Sequence, residues 1–118
     1  MRIVFIILDD VKAAHFAYVG DSILGNGVML GAGVKCANLK LNDTTIKIKT
    51  PQGILETGLR KFGLIAGDYC QIGCNSVTNP GTILGKTVLV SPCVNIQGFV
   101  PPKSIVKNKA EYVISSME

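Results

Sequence analysis

The sequence contains a six-residue repeat, and this period leaves few folds open to the chain. From Ala66 to Pro101, the first position of each hexad is small or aliphatic, and the next position is often Gly or Asn. The first positions are Ala66, Ile72, Thr78, Leu84, Val90 and Ile96, and the fifth positions are Cys70, Ser76, Thr82, Val88, Val94 and Val100. A shorter block, from Val19 to about Asn38, has Leu24, Leu30 and Cys36 at first positions and Val28 and Val34 at fifth positions. Within this block, Val19 lies five residues before Leu24 instead of six, and Ile23 stands at the fifth position that follows Val19.

A triangular coil of three short strands and three corners explains this period. Each strand points one aliphatic side chain inward, and the small fifth-position side chain fills the corner. We expect Gly or Asn after the inward residue to tolerate the backbone conformation of the corner. Since three hexads make one coil, the block from Ala66 to Pro101 predicts two coils of an all-β, parallel β-helix. An amphipathic helix is excluded because apolar residues do not recur at intervals of three and four. A β-sandwich lacks its alternation and hairpin signals in these blocks.

The repeat is interrupted between about residues 39 and 62. Residues 45–49 alternate in polarity, Thr50-Pro51-Gln52-Gly53 is typical of a turn, and Ile54-Leu55 begins a return strand. This pattern predicts a β-hairpin extruded from one corner. Long excursions from a rigid scaffold often carry function, although a purely decorative insertion is the alternative.

The two ends of the chain complete a predicted single domain over residues 1–118. The apolar start, residues 1–8, predicts a buried strand. Pro101-Pro102 ends strand pairing because proline lacks an N–H donor. Residues 102–118 are predicted to cap the open coil, with a short helix or strand from Asn108 to Glu118.

Composition narrows the function classes. The net charge of +4 suits an anionic small ligand such as a phosphate, and equally suits ordinary solubility. The sequence has no Lys/Arg run with interleaved aromatics, so nucleic-acid binding is not predicted. The apolar start is too short for a membrane span and precedes no cleavage site, which predicts a cytoplasmic protein without membrane contact. The four cysteines, Cys36, Cys70, Cys74 and Cys93, form no CxxC pair, so we predict small buried side chains and no metal site.

One stretch carries a more specific signal. The run His15-Phe16-Ala17-Tyr18-Val19-Gly20-Asp21-Ser22-Ile23-Leu24-Gly25 is followed by Leu30-Gly31-Ala32-Gly33 and by Asn38-Leu39. Together these motifs resemble the acetyltransferase domain of bifunctional sugar-1-phosphate nucleotidylyltransferase/acetyltransferases, including the glucosamine-1-phosphate acetyltransferases that are also UDP-N-acetylglucosamine pyrophosphorylases. The stretch from Thr57 to Gly63 is closer to the archaeal-type branch. The resemblance covers roughly residues 15–107. It implies a left-handed coil, a homotrimer, and acetyl transfer from acetyl-CoA to the amino group of a hexosamine 1-phosphate.

The resemblance also implies a role for His15 as the general base. An amine that attacks a thioester must lose a proton, and an imidazole titrates near neutral pH. His15 is the only histidine in the chain. The alternative is a histidine that merely occupies a corner.

The remaining site residues are carried over from the same motifs. Tyr18 and Asn38 match substrate contacts, Lys61 matches a lysine that meets the sugar phosphate, and Lys47 is predicted to add a second cation from the hairpin. Ala32 and Cys74 match positions along the CoA channel. For Tyr18 the alternative is a ring packed at a coil edge, and for Asn38 it is an ordinary corner residue.

The chain also departs from the family pattern. Met29 stands where the glucosamine-1-phosphate branch has a second substrate asparagine, Cys74 stands at a serine position, and Pro92 at an alanine position. Upstream basic ligands and the nucleotidylyltransferase domain have no counterpart here, so we expect a fragment or a diverged remnant. A non-catalytic trimerisation module is therefore the alternative function. A hexapeptide acyltransferase with another acceptor or acyl chain is a third hypothesis.

Overall fold

The protein is a left-handed parallel β-helix, as the repeat and the resemblance predicted. The computed structural model describes residues 6–109 and 111–118, and these contain strands and no helix. The coil strands are β1 (Ile6–Ile7), β2 (Lys12–Ala13), β3 (Tyr18–Val19), β4 (Ile23–Leu24), β5 (Met29–Leu30), β6 (Lys35–Cys36), β9 (Ile65–Ala66), β10 (Gln71–Ile72), β11 (Val77–Thr78), β12 (Ile83–Leu84), β13 (Leu89–Val90), β14 (Asn95–Ile96), β15 (Phe99–Val100) and β16 (Ile105–Val106). The hairpin consists of β7 (Lys47–Thr50) and β8 (Gly53–Glu56).

The coil strands form three parallel sheets, one on each side of a triangular prism. The first sheet has the order β1-β4-β9-β12-β15, the second β2-β5-β10-β13-β16, and the third β3-β6-β11-β14. Leu24, Ala66 and Leu84 pair in succession across the first sheet. The register therefore continues across the insertion as if residues 39–62 were absent.

The core is the column of inward side chains inside the prism. The predicted first-position residues of both blocks are buried, except that Val19 is half-buried, and so are the predicted fifth-position residues apart from Val100 and Ile23. Val100 pairs with Leu84, so it is an inward strand residue four positions after Ile96 and not the corner residue that was predicted. Cys36 and Cys70 belong to this core, as predicted. Cys74 and Cys93 are exposed, so the prediction of burial was wrong for these two cysteines. They lie in turns rather than at inward positions of the strands.

In the five-residue step from Val19 to Leu24, the residue that fills the corner is not the one that the sequence pattern indicated. Ser22, not Ile23, fills the corner: Ser22 is 1% exposed, whereas Ile23 is 36% exposed and faces outward. The Ser22 hydroxyl donates to the Gly20 carbonyl at 2.8 Å and accepts a hydrogen bond from the Leu64 amide at 2.9 Å. A hydroxyl with both partners satisfied costs little to bury, so the shortened hexad still closes its corner.

The glycines after the inward residues have a different role from the one predicted. Gly31 and Gly73 do not have positive φ. A Cβ on Gly73 would lie 2.6 Å from the backbone nitrogen of Pro92 in the next coil. Positive φ occurs two residues later in each corner, at Gly33 and Asn75. These glycines therefore permit close approach between coils and not a left-handed backbone.

The predicted hairpin is present and packs onto the coil. Its strands β7 and β8 are antiparallel, with Thr50 opposite Gly53 at the turn. Ile46 and Ile48 are buried. An antiparallel bridge between Leu39 and Lys61 closes the base of the insertion.

Both predictions for the chain ends need correction. Ile6, Ile7 and Leu8 are about half exposed rather than buried, because β1 is an edge strand of its sheet. Residues 1–5, the rest of that predicted strand, lie outside the described residues. At the other end strand pairing does not stop at Pro101-Pro102 as predicted, because β16 pairs with β13 and extends the second sheet. Residues 107–109 and 111–118 contain no helix or strand. The proposed helix or strand from 108 onward is therefore wrong within the described part of the chain.

Replacing Leu84 by Ala is expected to lower the free energy of unfolding by about 2–5 kcal/mol, because the substitution leaves a cavity inside the prism. Leu41 is fully exposed, so Leu41→Ala is the matched control and should change the free energy by less than about 0.5 kcal/mol. Urea denaturation followed by circular dichroism measures both values. Equal losses in the two variants would contradict the inward assignment of the first hexad position.

Candidate functional site

Three predicted site residues lie on one edge of the prism. His15, Ala32 and Cys74 occupy equivalent turns of successive coils between the second and third sheets. The Gly33 amide donates to the His15 carbonyl at 2.9 Å, and the Asn75 amide donates to the Ala32 carbonyl at 2.9 Å. We call the column His15, Ala32, Cys74 and Pro92 the histidine edge. Successive positions on it are about 4.8 Å apart, the spacing of neighbouring strands, and His15 is exposed at its beginning.

A groove of about 440 Å³ borders the histidine edge on the outer face of the second sheet. Ala14, Gly31 and Gly73 line it, and each directly precedes a residue of the edge. Met29 also lines the groove. Small residues along one wall leave room for an extended ligand that runs parallel to the coil axis.

Tyr18 and Asn38 meet on the third sheet and at the corner that follows it. The Tyr18 hydroxyl donates to Asn38 Oδ1 at 3.3 Å, and Asn38 Nδ2 donates to Asp21 Oδ2 at 2.6 Å. A Cβ on Gly20 would lie 2.6 Å from Asn38 Cγ and 2.8 Å from the Tyr18 hydroxyl oxygen, so Gly20 makes room for the pair. Because Asp21 accepts a hydrogen bond from the Asn38 NH₂ group, the amide oxygen of Asn38 faces Tyr18.

The sequence argument gave Asp21 no role, although it lies within the motif that carries the resemblance. Its place in the five-residue step from Val19 to Leu24 was the available signal, since this step must bring a new side chain to the corner. Asp21 has a φ of 44°, a value uncommon for residues other than glycine. The geometry adds Asp21 to the candidate site as a residue that positions Asn38.

Lys61 lies beside this cluster. The Phe62 amide donates to the Asn38 carbonyl at 2.9 Å. Lys61 and Asp21 line the same cavity of about 350 Å³, together with Ile23 on the outer face of the first sheet. The insertion therefore returns its lysine to the corner from which it left.

Lys47 does not line that cavity. It lines a separate one with Lys40 and Lys49, against Gly81 and Gly98 of the two following coils. The two lysines predicted to act together are thus in different cavities. The reason is the direction of the hairpin, which folds toward the C-terminal coils.

The predicted residues consequently form two groups on neighbouring corners. His15 begins the histidine edge at one end of β3, and the cluster of Tyr18, Asn38 and Lys61 extends from β3 to the next corner. One strand of the third sheet separates them. An exposed imidazole and a cation beside a fixed amide are groups that acid–base chemistry on a phosphorylated amine requires.

Burial distinguishes two kinds of thiol in the chain. Desolvation raises the pKa of Cys36 to about 11, and burial also raises the pKa of Cys70. Within residues 6–109 and 111–118, no three His, Cys, Asp or Glu side chains are grouped so as to hold a metal ion. In the same part of the chain, no helix has the length and apolar character to cross a membrane.

Sequence comparisons confirm the resemblance inferred from the motifs. The chain is 31% identical over 87 residues to a bifunctional sugar-1-phosphate nucleotidylyltransferase/acetyltransferase of Sulfurisphaera tokodaii, covering 74% of this chain and 22% of that protein. It is 33% identical over 110 residues to the bifunctional protein GlmU of Methanococcus maripaludis, covering 93% of this chain and 26% of that protein. The chain therefore spans about a quarter of the length of these curated relatives.

Structural comparison shows the same fold in a solved structure. Serine acetyltransferase isoform 3 of Entamoeba histolytica, crystallised with cysteine, superposes with a TM-score of 0.73 over 97% of this chain and 36% of that one. The sequence identity is 16%, so this likeness concerns the fold alone. No protein-family profile matches the chain.

Cys74 and Cys93 should react with iodoacetamide in the native protein at pH 8, whereas Cys36 and Cys70 should react only after unfolding. Alkylation needs the thiolate, and a raised pKa keeps the two buried thiols protonated at this pH. Peptide mass spectrometry counts the labelled cysteines with and without denaturant. Native labelling of Cys36 at the rate of Cys74 would contradict the assignment.

Proposed function

We propose that this chain, a homologue of part of the GlmU-type sugar-1-phosphate nucleotidylyltransferase/acetyltransferases, transfers an acetyl group from acetyl-CoA to the nitrogen of an amino-sugar 1-phosphate. The relatives support acetyl transfer in general. The finer choice of a glucosamine-1-phosphate type acceptor has one main support. Tyr18 and Asn38 share a hydrogen bond, and Lys61 lines a cavity with Asp21 at the same corner. Strand β3 connects this corner to the turn that holds His15.

His15 acts as the general base. Its imidazole removes a proton from the attacking amine, whose nitrogen forms a bond to the thioester carbonyl carbon. Backbone N–H groups stabilise the resulting oxyanion. The carbon–sulfur bond then breaks, and the departing CoA thiolate takes the proton from the imidazolium. The exposure of His15 supports this role, because the ring is open to both substrates.

Tyr18, Asn38 and Lys61 bind the acceptor. Lys61 meets its phosphate as a compact positive charge. The Asn38 amide contacts the sugar in one orientation only, because its NH₂ group is already bonded to Asp21. Asp21 is thus a positioning residue, and Tyr18 covers the sugar from the neighbouring strand.

The acyl-CoA arm lies along the histidine edge. Ala32 and Cys74 present small side chains there, and the adjoining groove of about 440 Å³ is mainly apolar. An extended pantetheine chain matches a groove that runs from coil to coil. The thioester would then reach His15 at the beginning of the edge.

The working form is a homotrimer. The outward side chains of the first sheet form one apolar row in register: Ile6, Ile23, Ile65, Ile83 and Phe99. The outward rows of the other two sheets mix polar and apolar side chains: Lys12, Met29, Gln71, Leu89 and Ile105 on the second sheet, and Tyr18, Lys35, Val77 and Asn95 on the third. A continuous apolar row on a surface indicates a protein partner, and closed cyclic symmetry suits a prism with flat faces. Ile23 also lines the Lys61 cavity, so a partner on this face would complete the acceptor site.

Replacing His15 by Ala is expected to reduce kcat/KM by about 10²–10⁴, the usual contribution of a general base. Thiol release from acetyl-CoA with glucosamine 1-phosphate as acceptor measures it. Lys103 is exposed at a different corner, so Lys103→Gln is the control and should retain wild-type turnover. Full activity in His15→Ala would exclude the proposed mechanism.

Replacing Ile83 by Lys is expected to convert the trimer into monomers, because it places a charge in the middle of the apolar row. The matched control is Leu55→Lys on the exposed face of the hairpin, which should leave the trimer intact. Light scattering after size exclusion gives the mass of each species. A monomeric wild-type chain would refute the trimer, and an unchanged mass in Ile83→Lys would place the interface elsewhere.

A non-catalytic trimerisation module is the second candidate. It is supported by Met29, which stands at the position of a second substrate asparagine and is 44% exposed in the groove. This function requires a trimer whose melting temperature does not rise with CoA, since a ligand that binds the folded state stabilises it.

A further inference from the structure

The hairpin and the coil enclose a small basic cavity that the proposed acetyl transfer does not use. Its volume is about 120 Å³. The lining includes three lysines, one amide side chain and two glycines: Lys40, Lys47, Lys49, Gln97, Gly81 and Gly98. Lys40 comes from the base of the insertion and the other two lysines from β7. The cavity thus forms only when the hairpin rests on the coil.

The local structure sets the direction of two of these lysines. Lys47 and Lys49 alternate with buried Ile48 on β7, so their side chains project from the same face of the hairpin. Gly81, with a φ of 85°, lies directly against this strand. A Cβ there would be 2.9 Å from the Lys47 carbonyl oxygen and 3.0 Å from Ile46 Cγ2. The missing side chain at Gly81 lets β7 approach the coil.

The charges around the cavity are unbalanced. None of its described lining residues is Asp or Glu. Glu56 is opposite Lys47 in the hairpin register and accepts a hydrogen bond from the Thr45 hydroxyl. Asp43, elsewhere in the insertion, is paired with Arg60. Three lysines thus line one small cavity beside a single carboxylate, and the repulsion between their charges favours an anion among them.

We propose that this cavity is a second anion site, which binds a phosphate group. Its volume corresponds to about four water molecules at ~30 Å³ each, which is enough for a phosphate group. Lysine binds phosphate as a point charge and donates up to three hydrogen bonds. The ligand is a free phosphate or diphosphate, or the phosphate of a larger ester.

The surroundings allow either source. A wider cavity of about 590 Å³ shares Lys40 and Gln97 with the lysine cavity and is also lined by Leu39, Leu41 and Asn42. The organic part of an ester could lie there while its phosphate enters the lysine cavity. The site lies apart from Lys61, which lines the cavity next to Asn38 and the first sheet, so this proposal does not rest on the proposed acetyl transfer.

The test measures binding to the full chain without acetyl-CoA or an acceptor sugar, so its outcome is independent of catalysis. Pyrophosphate is titrated by calorimetry into wild type and into the Lys40→Gln/Lys47→Gln/Lys49→Gln variant, with thermal melting to verify folding. We expect the Kd to rise by about tenfold or more in the triple variant. Lys86 is exposed on another corner, so Lys86→Gln is the matched control and should bind as wild type does.

A local readout accompanies the calorimetry. In ¹⁵N-labelled wild type, pyrophosphate should shift the amide resonances of Gly81 and Gly98, which line the cavity, and should leave that of Gly20 near Tyr18 unchanged. Adenosine 3′,5′-bisphosphate replaces pyrophosphate in a parallel titration. Nucleotide affinity is assigned to this cavity only as far as the triple variant loses it: tighter binding that the triple variant loses identifies an ester as the ligand, and any other result identifies the free anion. Absence of binding at about 10 mM, or equal affinity in wild type and triple variant, would overturn the proposal.

Discussion

The backbone hydrogen bonds between successive coils are the interaction on which the rest of this structure depends. Most coil strands are only two residues long, far too short to be stable singly or as a pair. Each gains its stability from neighbours above and below: the Gly31 amide donates to the Ile72 carbonyl at 2.8 Å, and the Gly73 amide to the Val90 carbonyl at 2.8 Å. The glycines serve this ladder, because a Cβ at Gly31 would lie 2.8 Å from the Cys74 nitrogen. The hydrogen bonds that stabilise the strands therefore also require the close spacing of the coils.

The same ladder creates the candidate site. Residues distant in sequence become neighbours whenever they occupy the same corner, which is how Ala32 and Cys74 become adjacent although 42 positions separate them. The insertion does not disturb this column, since Leu24 and Ala66 pair across it. A long loop can therefore be added at one corner while the groove at another corner keeps its geometry.

The insertion places its lysines in two different cavities. Its closing segment returns Lys61 to the corner of Asn38, and its first strand carries Lys47 and Lys49 to the next coils. The proposed acceptor site and the proposed second anion site thus lie on opposite sides of one insertion.

The sequence by itself determined the coil, most of its inward residues and the motif around His15, because a repeated period and a contiguous motif are local properties of the chain. It also predicted that Tyr18 and Asn38 belong together, and they share a hydrogen bond. Only the tertiary structure decided that Ser22 closes the short corner and that Lys47 leaves the cavity of Lys61. These outcomes depend on which side chain has a partner in the next coil and on where the hairpin packs. Neither contact is encoded in the spacing of residues, since both arise between segments that the coil brings together.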